Sequence, residues 1–150
     1  MPKIFFASDH AGFALKSVLI EYVRTLGYDT EDFGAFSFDV EDDYPDFVMP
    51  LAKRVASESG SRGIIIGGSG QGEAMCANRI SGVRAAVFYM STASENKYEI
   101  AQLSRQHNDA NVLSLGARFI SENEATEAVR IFLETEFSGD ERHHRRLAKF

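Results

Sequence analysis

Residues 63–75 read Gly-Ile-Ile-Ile-Gly-Gly-Ser-Gly-Gln-Gly-Glu-Ala-Met, so three isoleucines run into glycines at 67, 68, 70 and 72 and then into Glu73. Glycines this dense cost conformational entropy on folding, so the backbone must need them. A loop that leaves a strand and opens a helix can aim its N–H groups at an anion, beside the positive end of the helix dipole. Spacing narrows the choice. A P-loop needs a lysine that this stretch lacks. A dinucleotide fingerprint fits Gly68 and Gly70 but meets Glu73 where its third glycine belongs. A nucleophile elbow fits Gly67 and Ser69 but meets Gln71, so a serine hydrolase built on Ser69 fails on spacing. Two readings remain: a tight turn that packs helix on sheet, or a cradle for a small oxyanion. Glu73 is likewise either a dipole-stabilised surface carboxylate or a base. A base beside oxyanion donors is the arrangement that removes a proton α to a carbonyl.

Four histidines are present, at 10, 107, 143 and 144. His10 follows Asp9 at the end of an apolar run, and His107 lies in Ser104–Asn111, just before another such run. Each is a cap or surface residue unless a site claims it. No histidine pair has the spacing of a helical metal site, and the remaining acidic cluster, around Glu41, Asp42 and Asp43, gives no metal signal. The one dense basic cluster is Glu141-Arg142-His143-His144-Arg145-Arg146. Arg142 and Arg146, at i and i+4, share a helical face and could clamp a phosphate; the alternative is a solvated basic helix. Arg118 stands alone past the last apolar run.

These residues need a scaffold. Apolar runs at Ile4–Ala7, Gly63–Ile66, Val83–Tyr89 and Asn111–Leu115 read as buried strands, and the more polar 28–33 stretch as an edge strand. Between them lie helical patterns. The first, through Leu15, Val18, Leu19, Tyr22 and Leu26, stops at Gly27. The second opens at Pro45 and runs to about Ser59, with Pro50 awkward inside it. The third spans about Gly72 to Ile80. A fourth, ending near Gln106, has a capping-box pattern at Thr92–Glu95, and a fifth has one at Ser121–Glu124. Phe137-Ser138-Gly139 ends the fifth and leads to a helical tail over 140–150. Alternating strands and helices predict one α/β domain over 1–150, a three-layer αβα sandwich around a doubly wound, five-stranded parallel sheet of Rossmann-like kind. Ligands of such folds bind at the carboxyl ends of strands, which draws attention to Asp9-His10 and the glycine loop.

The chain has 150 residues, 44% hydrophobic and 25% charged, as one globular domain should. A net charge of -6 argues against non-specific binding to nucleic acid or anionic membrane. No apolar run approaches the ~20 residues of a membrane span. The N-terminus is too short for a signal peptide before structure begins, and the single cysteine, Cys76, excludes an internal disulfide; together these predict a cytoplasmic protein.

Several segments occur together in one known family and in the same order: Ser8–Gly12, Asp43-Tyr44-Pro45, Gly67–Glu73, Ala77-Asn78-Arg79, Ser104–Asn111 and Gly139–Arg146. On them the chain resembles the type B ribose-5-phosphate isomerases, within the wider family that includes galactose-6-phosphate isomerase subunits. The resemblance covers nearly the whole chain and implies a cofactor-free aldose–ketose isomerase acting on a phosphorylated sugar through an enediolate. It implies that Glu73 moves the proton, that His107 opens the sugar ring, and that Asn108 contacts substrate. Gly68, Ser69, Gly70, Gln71 and Gly72 would hold the developing oxygen and Asp9 the hydroxyls. His10, Arg118, Arg142 and Arg146 would take the phosphate, the tail arginines being donated across a homodimer or dimer of dimers. Some relatives use a cysteine at the position of Gly67, so this chain resembles the glutamate-using branch, and Cys76 is read as a packing residue. A six-carbon sugar phosphate (allose or galactose 6-phosphate) and a non-catalytic sugar-phosphate-binding module are the competing readings; retention of both Glu73 and His107 argues against the second.

Overall fold

The computed structural model describes all residues, 1–150. Strands β1 (Ile4–Ser8), β2 (Thr30–Asp32), β3 (Arg62–Gly67), β4 (Ala85–Phe88) and β5 (Val112–Gly116) form one parallel sheet in the order β2-β1-β3-β5-β4. The half-buried β2 lies at an edge, as its polar sequence requires. The helices are α1 (Phe13–Thr25), α2 (Pro45–Ser57), α3 (Gln71–Ala77), α4 (Glu99–Gln106), α5 (Glu122–Glu134) and α6 (Glu141–Leu147).

Side-chain alternation along the central strands divides the core in two. Ile4, Phe6, Ile64, Ile66, Leu113 and Leu115 pack with Leu19, Val23, Ala128, Val129 and Phe132 from α1 and α5. Phe5, Ala7, Ile65 and Val112 face the other way, onto Val48, Leu51, Val55 and Ala77 from α2 and α3. A sheet buried on both faces explains why its strands read as continuous apolar runs.

Boundaries shifted for local reasons. The box at Thr92–Glu95 caps nothing, and α4 starts at Glu99 instead. Ser94 Oγ accepts from Asn96 N at 3.1 Å and Asn96 Oδ1 from Tyr98 N at 3.1 Å, so these side chains build turns of their own. The box at Ser121 forms as expected, with both reciprocal bonds. Helix α2 runs straight through Pro50, which is exposed beside an exposed Asp46 whose carbonyl water can serve. Helices α3 and α6 are each seven residues, shorter than their sequence patterns.

Candidate active site

Asp9, the glycine loop and Arg118 follow β1, β3 and β5 respectively, so all stand at the carboxyl edge of the sheet. There they line an open cleft of about 600 Å³ with His10, Tyr44, Glu73 and Phe119.

Glu73, in the first turn of α3, is 4% exposed. Burial pushes its carboxyl above the usual carboxylate range; its own backbone N–H draws it partly back, and the Asp9 charge adds to the rise. Desolvation therefore outweighs the helix end, a balance that sequence alone leaves undecided. The carboxyl occupies space that a side chain at 67 would need: a Cβ on Gly67 would lie 1.6 Å from Glu73 Oε1. The loop's carbonyls are its anchored side. Gly67 O and Gly68 O accept from Ala117 N (2.8 Å) and Arg118 N (3.2 Å). Ser69 O accepts from the Tyr89 hydroxyl at 2.5 Å, and Gly70 O from Ser114 Oγ at 2.6 Å. Gly70, at φ 78, makes the left-handed turn into α3. With its carbonyls tied back, the loop has N–H groups at Gly68, Ser69 and Gly70 to offer a ligand. Gln71 differs: it is exposed, its N–H bonds Ser69 Oγ at 3.2 Å, and like Gly70 it does not line the cleft.

His10 is held by a residue that sequence reading left in an undefined acidic loop. Asp42 Oδ1 accepts from both His10 N (3.0 Å) and His10 Nδ1 (2.7 Å). That pair is the main cause raising the imidazole above its ordinary value; the Asp9 charge assists and Arg118 opposes. A carboxylate can only accept, so Nδ1 carries a proton and Nε2 is the nitrogen left for a ligand. Lys16, 1% exposed, ties the loop's entry by donating to Asp32 Oδ1 (2.7 Å) and Ala35 O (2.6 Å). Asp9, His10 and Asp42 bring one ligand atom each within 4.8 Å of one another, a grouping the sequence did not reveal, although the bond to Asp42 already occupies one imidazole nitrogen. Asp9 Oδ1 accepts from Ala11 N at 2.9 Å. Asp42, Tyr44 and Tyr89 were the residues missed; their sequence signal was position after a strand's carboxyl end and, for Tyr44, a place in the shared Asp43-Tyr44-Pro45 segment.

Four expected site residues are elsewhere. His107 and Asn108 lie between α4 and the start of β5, at the amino edge of the sheet. Five residues of β5 at about 3.3 Å each separate that edge from the cleft, roughly 17 Å. The loop they share is rigid: Asp109, at φ 45, is held by Arg105 (2.8 Å) and Arg84 (3.1 Å). Helix α6 packs here too. His143, 4% exposed, stacks on His107 with ring centroids 4.4 Å apart. Arg142 and Arg146, both exposed, are carried on this helix and do not line the cleft. Asn78 and Asn111, though part of the shared segments, do structural work, bonding the backbone of Ala85 and of Gly82 and Arg84. No helix is long and apolar enough to cross a membrane.

Comparison with known proteins places this geometry. A family model described as ribose/galactose isomerase matches residues 4–150. Ribose-5-phosphate isomerase B of Mycobacterium leprae is 39% identical over 145 residues, covering 97% of this chain and 85% of that one. The crystal structure of ribose-5-phosphate isomerase B from Mycoplasma genitalium, with bound ribulose-5-phosphate, superposes with a TM-score of 0.90 at 40% identity over 98% of this chain and 92% of that one. The type B ribose 5-phosphate isomerase of Trypanosoma brucei gives a TM-score of 0.90 at 35% identity, over 99% and 96% of the two chains.

Proposed function

The chain belongs to the ribose/galactose isomerase family, and we infer that it interconverts ribose 5-phosphate and ribulose 5-phosphate by proton transfer between C2 and C1. The observation that carries this reading is Glu73: a buried carboxyl, raised above its usual range, at the end of a loop whose Gly68 and Ser69 N–H groups have no acceptor in the chain. Ionised, it takes the C2 proton and returns it to C1. The N–H groups of Gly68 and Ser69, which line the cleft, stabilise the enediolate oxygen as charge develops there; one such donor contributes roughly 3–4 kcal/mol in comparable sites. Asp9 binds sugar hydroxyls. His10, whose imidazolium form Asp42 favours, and Arg118 bind the phosphate. The substrate-bound relative carries a five-carbon sugar phosphate, which favours the pentose over the hexose reading.

With His10 assigned to the phosphate, ring opening needs a further acid. His107 is the family-like candidate, yet it stands at the far edge of its own sheet, together with Asn108 and the tail arginines. We propose a homodimer in which the partner's His107 and the partner's Asn108, with the partner's Arg142 and the partner's Arg146, complete each cleft. This extends cross-subunit donation from the arginines to the acid. Incubation of ribose 5-phosphate in deuterium oxide tests the chemistry. Incorporation of deuterium at C1 of the ribulose 5-phosphate formed and at C2 of the recovered ribose 5-phosphate is expected; tight binding with no exchange would leave only a sugar-phosphate-binding module.

A further inference from the structure

A second cleft, of about 440 Å³, opens where β3, β4 and β5 begin, at the edge opposite the isomerase cleft. Arg62, Arg84 and Arg105 line it, in a chain whose net charge is -6. Arg62 and Arg105 are 9% and 5% exposed, and both guanidinium carbons lie 5.8 Å from the Phe132 ring centroid. Burial, and then the neighbouring Arg105 charge, makes the Arg62 cation harder to hold.

Carboxylates do not balance these charges. Asp109 serves both Arg105 and Arg84, at 2.8 and 3.1 Å, while Glu58 at the rim is taken by Arg54 at 2.8 Å. Arg62 has no carboxylate; its Nη1 donates to Phe132 O (2.9 Å) and Leu133 O (2.6 Å) at the end of α5. Capping α5 accounts for part of what these side chains offer. It leaves Arg62 Nε and Nη2, Arg105 Nη2 and Arg84 Nη1 with no protein acceptor. None of these is a buried orphan, so each reaches solvent, and this cleft is one that all three arginines line. Guanidinium forks lining a polar, half-enclosed space suit an oxyanion, and a cleft this large suits one with more than one anionic group.

We propose that this cleft binds a small multivalent anion of the diphosphate or tricarboxylate kind. The site is separate from the sugar-phosphate cleft of its own chain and does not rest on the isomerase reading. Removing Arg62 or Arg105 would also strip the cap from α5, so the test adds charge instead. Ser59 is exposed and lines the cleft, and Ser59→Glu places a carboxylate there without touching the arginines. Calorimetric titration of pyrophosphate, and separately of citrate, into the full chain is the measurement, repeated with Arg118→Ala to weaken anion binding at the sugar-phosphate cleft. Binding that survives Arg118→Ala and falls at least tenfold in Ser59→Glu is expected, with turnover and circular dichroism of Ser59→Glu unchanged. Failure of both anions to bind the Arg118→Ala variant, or equal binding by Ser59→Glu and the unaltered chain, would overturn the proposal.

Discussion

The two edges of the sheet divide the chemistry unevenly. At the carboxyl edge, chain direction alone gathers Asp9, the glycine loop and Arg118, because each follows a strand of the same parallel sheet. At the amino edge, His107, His143 and α6 form an ordered cluster set apart from that cleft by the length of β5. On the proposed roles, the base stands at one edge and the acid at the other, so the functional unit we propose is two chains.

The largest effect expected separates the edges by chemistry. Glu73→Gln should lower turnover by about 10³-fold or more while leaving substrate affinity within a few-fold, since a general base contributes on the order of 10²–10⁴. Deuterium exchange at C2 measures this, and near-normal exchange in that variant would dissolve the distinction between the edges. Next, equal amounts of Glu73→Gln and His107→Ala chains, separately inactive, should on mixing and subunit exchange recover about a quarter of full activity. Half of the dimers are then mixed, and each has one intact site of two. Absence of recovery would return His107 to its own chain. Gly67→Ala tests the carboxyl edge from within. Its new Cβ would displace the Glu73 carboxylate, and a misplacement near 1 Å should cost about 10²-fold in kcat, with KM little changed.

The smallest effect concerns pH. His10 titrates above its ordinary value because of Asp42. Phosphate affinity assigned to the imidazolium should thus persist to a higher pH than a free histidine would allow, then fade as KM rises. Asp42→Asn should move that rise to lower pH and weaken binding a few-fold near neutrality; an unmoved KM profile would remove His10 from the phosphate site. The acidic limb of kcat/KM belongs to Glu73 and has the opposite sign. Activity needs the ionised form, so the limb should fall at a pH above the usual carboxylate range.

Most of the architecture was legible because it follows from alternation. Ile4–Ala7 and Gly63–Ile66 read as buried strands from their apolar runs and glycine-rich flanks, and the placement of ligands at the carboxyl ends of parallel strands led to Asp9 and the loop that ends in Glu73. Pairings across long sequence distance were not legible. Asp42 meets His10 across 32 residues, through a loop with no periodicity to read. The Thr92–Glu95 box failed because Ser94 and Asn96 found local partners first. Position just before a strand already placed His107 at the wrong edge for Glu73, but the family resemblance had grouped the two.

The contact between Gly67 and Glu73 also bears on how such a site can change over generations. One volume of space accepts either a side chain at 67 or the carboxylate of Glu73 as it stands here, not both. A side chain gained at 67 would therefore require the Glu73 carboxylate to swing out of its present place, so residues 67 and 73 should vary together among relatives.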